Sequence, residues 1–221
     1  MSHPIPSPEA ELSRFSQRID ELCVALVTAD PYILAAKSGI NYTPIDKDTG
    51  ELQLFIWNRH ITINYPSFKA HDHKTGQELS LVDHAMLLYY LNHADGTPVE
   101  GRWISFSELP NGRFYNQAFQ GYTGQVLARS FGNDPASFEF AAHNLAGVRQ
   151  FGLGDLAYTF QALPRVSLLL VFWKGDEDFP ASFQVLFDAS ASHYLPTDAY
   201  AILGSTLTRR LIKSAKETPD A

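Results

Sequence analysis

The sequence predicts an α+β domain in which helices and antiparallel strands surround one core. Apolar residues recur at helical spacing in several segments, and short strand-like runs follow one another across hairpin-type turns. The order is helix, three strands and helix, then strand, helices, three strands and helix, so the two halves are similar in outline. No Pro-, Gly- or Ser-rich linker separates them. We therefore expect a single domain over residues 1–216, followed by a frayed tail over residues 217–221.

The first half is predicted to contain two helices and three strands. One helix over residues 8–29 is indicated by apolar residues at helical spacing, and Asp30-Pro31 ends it. Ser80 and Asp83 resemble a capping box that begins the second helix, which ends near Asp95-Gly96. The apolar stripe of the first helix is Leu12, Phe15, Ile19, Leu22 and Leu26, the strands are expected over 40–45, 52–57 and 61–65, and residues 66–78 are expected to be a polar loop.

The second half is predicted to continue with one strand, several helices and a group of three strands. The run over residues 166–173 is apolar on both faces, which is typical of a central strand. Asp134 caps a short helix that has Pro135 at its first position. The remaining predicted elements are strands over 102–106, 156–163 and 183–188, and helices over 114–131 and 197–216.

Composition restricts the partners and the compartment of the chain. The formal net charge is -7, which disfavours nucleic-acid backbones. Cys23 is the only cysteine, so this chain alone cannot form an internal disulfide or supply the ligands of an iron–sulfur cluster. The first residues lack an apolar stretch typical of secretion, and residues 166–173 form an apolar run too short to span a bilayer. We expect a cytoplasmic protein with no nucleic-acid and no membrane partner.

A dense group of aromatic and charged residues lies in the segment 101–115. Aromatic side chains beside fixed charges can hold a flat, anionic ligand. The alternative is a structural corner in which the charges pair locally. The candidate ligand-binding residues here are Arg102, Trp103, Glu108, Arg113 and Tyr115, and we expect Trp173 and Asp176 to converge with them on one pocket rim.

Four histidines are candidate ligands. His71 and His73 are two apart, so on an extended chain both imidazoles share a face and could bind one metal ion. A third ligand would come from His60, His93 or a carboxylate, and the alternative is a solvated loop. His84 and His93 lie on the helix after Ser80 and could be axial ligands of haem or a corrinoid; the alternative is hydrogen-bonded, half-buried histidines.

Several short motifs in a fixed order resemble a known family. They are Leu87-Leu-Tyr-Tyr-Leu91, Gly101-x-Trp-Ile-x-Phe-x-Glu-Leu-Pro-x-Gly-x-x-Tyr115, Gly154-Asp155, Leu163-Pro164, Trp173-x-Gly-Asp-Glu-Asp-Phe-Pro180 and Leu186-Phe-Asp188. Over about residues 79–211 the chain resembles bacterial and archaeal domain of unknown function number 3786. Some relatives are joined to an iron–sulfur-binding segment, in anaerobes rich in corrinoid chemistry, so the resemblance implies an accessory role near metal cofactors. It implies no catalytic residue.

Three hypotheses for function follow from these residues. The first is a binding or accessory protein that holds a flat tetrapyrrole-like ligand, haem or a corrinoid, or another anionic small molecule, with a cofactor-handling protein as its partner. The second is an enzyme in which Glu108 or Asp155 acts with a histidine as acid and base, with or without a metal at His71 and His73. The third is a protein-interaction module with an exposed apolar patch.

Overall fold

The computed structural model describes residues 8–217 of the chain, with side chains from residue 17 onwards. Within this range, seven α-helices and nine strands in two antiparallel sheets confirm the predicted α+β class. The chain divides into two compact units, residues 1–97 and 98–221. The single domain over residues 1–216 stays a prediction. The predicted tail, apart from residue 217, and the side chains of Leu12 and Phe15 lie outside what is described.

The first unit contains a four-stranded meander and three helices. Its sheet has the order β1-β2-β3-β4, so each strand pairs with the next along the chain, as the hairpin turns predict. The elements are α1 (Pro8–Leu26), α2 (Pro31–Ser38), β1 (Asn41–Pro44), β2 (Gly50–Ile56), β3 (Arg59–Tyr65), β4 (Lys69–Asp72) and α3 (Leu81–His93).

The two faces of this sheet differ in polarity because side chains alternate along each strand. One face is apolar and almost inaccessible to solvent. It includes Leu52, Leu54, Ile56, Ile61 and Ile63. The opposite face has partly exposed polar and aromatic side chains, which include Gln53, Phe55 and His60.

Two short elements of the first unit were absent from the prediction. Helix α1 ends at Leu26, three residues before the predicted end. Asp30-Pro31 instead begins α2, because Asp30 accepts a hydrogen bond from the Tyr32 amide and Pro31 fits the first turn. Helix α2 ends at Gly39, which has a left-handed backbone. The loop predicted over residues 66–78 contains β4, a short edge strand of which only Ala70 is buried.

The second unit contains the five-stranded sheet and the remaining helices. The strand order is β5-β9-β8-β7-β6, so the first strand of the unit pairs with the last. The first unit has no such pairing, and the predicted similarity of the two halves is not confirmed. The elements are β5 (Trp103–Ser105), α4 (Gly112–Tyr122), α5 (Gly124–Phe131), α6 (Pro135–Asn144), β6 (Val148–Gln150), β7 (Leu156–Leu163), β8 (Val166–Trp173), β9 (Ser182–Asp188) and α7 (Thr197–Ser214).

Strand β8 is the centre of this sheet, as its apolar sequence predicts. Its residues from Leu168 to Phe172 are at most 1% exposed, so both of its faces are covered. On one face, Phe138 of α6 lies among aromatic rings of α5 and the sheet. Its ring centroid is 5.1 Å from that of Phe183, 5.6 Å from that of Tyr158 and 5.9 Å from that of Phe131. This aromatic cluster joins α5 and α6 to the sheet.

Two predictions for the second unit are corrected. The single helix over residues 114–131 is two helices, because Thr123 leaves the helical conformation and its hydroxyl donates a hydrogen bond to the Phe119 carbonyl. The break places Gly124 against the Phe183 carbonyl, where no side chain would fit. The three-residue edge strand β6 was also missed because it is too short to show an alternating pattern.

We predict that replacing Phe138 with Ala destabilises the fold by about 3–5 kcal/mol, because it removes a fully buried ring and leaves a cavity. Urea unfolding followed by circular dichroism measures this loss. Phe114→Ala is the matched control, since Phe114 is 84% exposed. We expect the control to change the free energy of unfolding by less than about 0.5 kcal/mol. Equal losses in the two variants would contradict the role assigned to the cluster.

Candidate functional site

Hydrogen bonds to the buried carboxylate of Asp188 hold the start of the segment 101–115. Asp188 was not predicted as a site residue. Asp188, at the end of β9, is 4% exposed. It accepts hydrogen bonds from the amides of Glu100 and Gly101 at 3.0 and 2.7 Å, and from the amide and hydroxyl of Ser190 at 2.9 and 2.6 Å. Burial alone would raise the pKa of Asp188, but these hydrogen bonds stabilise the carboxylate and lower its pKa below the usual value.

Glu108 caps a turn in the same segment. Its carboxylate accepts hydrogen bonds from the Ser105 amide at 2.7 Å and the Ser105 hydroxyl at 2.8 Å, which completes a capping box around the 3-10 turn Phe106–Glu108. The hydrogen bond from the Ser105 amide is the main cause that lowers the pKa of Glu108. A carboxylate held in its charged form is a poor proton donor, which disfavours a general-acid role.

The other candidate residues of this segment differ in their contacts and exposure. Arg102 pairs with the exposed Glu100 at 3.2 Å, and the side chains of Arg113 and Tyr115 are exposed. Trp103 instead packs with Leu186 against a buried part of the sheet, which consists of Ala157, Leu169 and Val171.

Trp173 and Asp176 lie at the opposite end of the sheet from Trp103. Trp103 pairs with Asp188, whereas Trp173 pairs with Ser182. These partners are six residues apart on β9, which corresponds to roughly 20 Å at about 3.3 Å per residue. The expected convergence of the tryptophans on one pocket rim is therefore not found.

His84 and His93 are both hydrogen-bonded within the first unit. The His84 Nε2 atom lies 2.8 Å from the Phe68 carbonyl oxygen, and the His93 Nδ1 atom lies 3.2 Å from the Tyr89 carbonyl oxygen. Both histidines are half-buried. These contacts match the hydrogen-bonded alternative, and one nitrogen of each ring is already engaged by the backbone.

The structure brings His73 next to His60. Their ring centroids are 4.2 Å apart, and the His73 Nδ1 atom lies 2.9 Å from the hydroxyl of the buried Thr62. His71 is opposite Thr62 in the β3–β4 register and shares the polar face of the sheet. Among the residues described, no group of three or more His, Cys, Asp or Glu is placed to hold a metal ion.

A cleft of about 550 Å³ lies within the second unit and is the candidate site. One wall is the connection between α5 and α6, and the other is the loop between β8 and β9. The cleft is lined by Ala128, Arg129, Gly132, Asn133, Pro135, Lys174, Gly175, Asp176, Phe179, Pro180 and Ala181. Its volume is within the range of small-molecule sites, which is about 300–1,000 Å³. Asp176 is the one predicted site residue on its surface.

Backbone hydrogen bonds fix the β8–β9 wall of this cleft. The Asp155 carboxylate accepts a hydrogen bond from the Lys174 amide at 2.7 Å. Asp176 accepts hydrogen bonds from the Asp178 and Phe179 amides at 2.9 and 2.8 Å, and its own amide donates to the Phe179 carbonyl at 2.9 Å. Asp155 and Asp176 therefore stabilise the loop, and neither is hydrogen-bonded to a histidine in the described part of the chain.

Two cations line the cleft without a counterion. Arg129, in the last turn of α5, and Lys174, directly after β8, have no ion-pair partner within residues 17–217. The Asp176 carboxylate is engaged by its own loop. The cleft lining therefore has two exposed cationic side chains beside the Asp176 carboxylate and the apolar surface of Phe179 and Pro180.

Comparison with known protein families identifies the chain. The sequence model described as Domain of unknown function (DUF3786) matches residues 30–210, which is most of the chain. The chain belongs to this family. No curated protein and no solved structure matches the DUF3786 chain. The matched range includes the whole cleft and the segment 101–115.

The sequence contains partial indications of the cleft residues of this DUF3786 domain. Lys174 and Phe179 lie inside the motif from Trp173 to Pro180, of which Trp173 and Asp176 were predicted as site residues. Arg129 is part of an amphipathic helix, and no local sequence pattern distinguishes it from the arginines that lie on the surface outside the cleft. No helix among residues 8–217 is long and apolar enough to cross a membrane.

We predict that Asp188→Asn lowers the free energy of unfolding at pH 7 by about 1–2 kcal/mol, because an amide accepts the hydrogen bonds of Glu100 and Gly101 less strongly than a carboxylate. The folded-state pKa of Asp188 is below the unfolded value of about 3.9, so its stabilisation is present above that pH and is lost as the pH falls through the folded pKa.

Urea unfolding at pH 7 and at lower pH tests this expectation. The gap between the wild type and Asp188→Asn should narrow as the pH falls below about 4, since both side chains are then neutral. Asp178→Asn is the control, because Asp178 is exposed and its carboxylate makes no hydrogen bond or ion pair in the described structure. A gap that is independent of pH would contradict the role of the charge.

Proposed function

We propose that this DUF3786 domain is a non-catalytic binding protein that holds a small anionic molecule in the cleft between the α5–α6 connection and the β8–β9 loop. The observation that carries the proposal is the pair of cations, Arg129 and Lys174, that line the cleft without an ion-pair partner among the described residues.

The chemistry of the lining supports an anion with an apolar part. A guanidinium binds a carboxylate or phosphate through two parallel hydrogen bonds, and an ammonium adds a mobile point charge. Pro135, Phe179 and Pro180 provide apolar surface for the uncharged part of the ligand.

More specifically, we propose that the bound anion is a flat tetrapyrrole. A haem-type macrocycle has carboxylates at its edge, which suit Arg129 and Lys174. The lining contains no imidazole or sulfur side chain, so the cleft would hold such a ligand through its edge and face rather than through an axial bond to its metal. Phe179 is 72% exposed, so the cleft opens to solvent. An open site suits an accessory protein that passes its ligand to a partner.

The enzyme hypothesis has less support. Glu108 and Asp155, either of which was expected to act with a histidine as acid and base, are engaged by backbone amides and lie outside the cleft lining. The interaction-module hypothesis would rest on exposed rings such as Phe114 and Phe151. Isolated exposed apolar side chains are common on protein surfaces, so these two do not define an interface.

We predict that Arg129→Gln and Lys174→Gln each weaken the binding of an anionic tetrapyrrole about ten-fold, because each removes one charge-assisted contact. Titration with haemin, followed by its absorbance and by tryptophan quenching, measures the dissociation constant. Cyanocobalamin is titrated in parallel, and raised salt should weaken haemin binding in the wild type.

Arg113→Gln is the matched control for these variants. Arg113 belongs to the same unit, is exposed, lies outside the cleft and has no ion-pair partner in the described structure. It should leave the dissociation constant unchanged within two-fold. Failure of the protein to bind any anionic ligand, or an equal loss in all three variants, would refute binding in the cleft.

A further inference from the structure

We infer that Phe179 selects a planar ring with its anionic groups at the edge, and that Asp176 positions Phe179 for this task; the inference rests on the proposed function. Phe179 and the cations Arg129 and Lys174 line the same cleft, so one ligand can contact an aromatic ring and both charges.

The loop holds Phe179 at the cleft although its side chain is largely exposed. Asp176 accepts the Phe179 amide at 2.8 Å and donates its own amide to the Phe179 carbonyl at 2.9 Å, which closes a tight turn. A side chain added at Gly175 would meet the Ala181 amide nitrogen at 2.6 Å, so the loop is closely packed at its base. The backbone under Phe179 is therefore fixed before a ligand arrives.

An aromatic side chain on a fixed turn is suited to stacking. Phe179 has no ring partner among the described residues, in contrast to the paired rings of the core. A flat ligand can cover the exposed part of Phe179, and stacked rings attract beyond the burial of their surface. A flexible aliphatic acid would gain only the charge contacts with Arg129 and Lys174.

The shape and charge of this arrangement distinguish between tetrapyrroles. Porphyrins are planar and have carboxylates at the ring edge. Corrinoids have axial groups on their faces and mostly neutral amides at the edge, so they can neither stack closely on Phe179 nor pair with both cations. The ligand class is therefore a planar aromatic or porphyrin-type carboxylate.

The test compares a ring-shaped anion with an aliphatic one. Coproporphyrin, a metal-free porphyrin with four edge carboxylates, is followed by its fluorescence, and citrate is followed by calorimetry. Phe179→Ala should weaken coproporphyrin binding at least ten-fold and leave citrate binding unchanged within two-fold. Phe179→Trp should restore coproporphyrin binding. Phe114→Ala, an equally exposed phenylalanine outside the cleft, should change neither.

The role of Asp176 is tested by comparing Ala with Asn at this position. Asp176→Ala removes the acceptor of the Phe179 amide and should weaken coproporphyrin binding several-fold, with citrate binding unchanged. Asp176→Asn keeps a side-chain oxygen at the same place and should retain coproporphyrin binding within two-fold. Circular dichroism and thermal unfolding confirm that each variant folds.

The outcomes separate this inference from the proposed function. If Arg129→Gln and Lys174→Gln weaken coproporphyrin binding but Phe179→Ala does not, then Phe179 does not select the ring. The proposal that the cleft binds an anion would still be supported. Equal losses for citrate and coproporphyrin in Phe179→Ala would also overturn it, since Phe179 would then act on the shape of the cleft. If no anion binds to the wild type, both proposals fall.

Discussion

The pairing of β8 with β7 and β9 is the interaction on which the second unit depends. Strand β8 is buried on both faces, so its amides and carbonyls cannot turn to water and must be satisfied by its two neighbours. The antiparallel register with β9 then fixes where the β8–β9 loop emerges, directly after Trp173. The candidate cleft is a consequence of that register, because this loop forms one of its walls.

Four carboxylates of the second unit stabilise the local backbone. Asp188, Glu108, Asp155 and Asp176 each accept backbone amide hydrogen bonds. A sequence shows that such residues are charged, but it does not show whether backbone amides of the folded chain will donate hydrogen bonds to them. The cations of the cleft differ, since Arg129 and Lys174 keep their charge free of partners within the described residues.

The fold was predictable where patterns were long and local. Strand β8 and helix α7 have patterns of eight and eighteen residues, and both were placed within a few residues of their bounds. The short edge strands β4 and β6 have four and three residues, too few for a period to show. The break at Thr123 depends on the close approach of Gly124 to β9, which is a tertiary contact that local spacing does not reveal.

The candidate site was less predictable because its parts are distant in sequence. Arg129 and Lys174 are brought to one cleft only when α5 packs against the sheet, so neither is conspicuous in its own segment. Trp103 and Trp173 were conspicuous, but the length of β9 keeps them at opposite ends of the sheet. Aromatic and charged composition thus predicted a ligand site around residues 101–115, whereas the candidate cleft is lined by residues of α5, the α5–α6 connection and the β8–β9 loop.

Lys174 combines an ordered backbone with a side chain that is available for contact with a ligand. Its amide is bound by the Asp155 carboxylate at 2.7 Å, while its ammonium has no ion-pair partner in the part of the chain that is described. Because the backbone is already ordered, fixing Lys174 against a ligand would cost rotamer freedom of its side chain but little backbone freedom. The Phe179 amide is held in the same way by Asp176, so both proposed ligand contacts from the β8–β9 loop begin from an ordered backbone. Under the proposed function, Asp155 and Asp176 favour anion binding although their own charge opposes it, since they order the backbone of the two residues that would contact the anion.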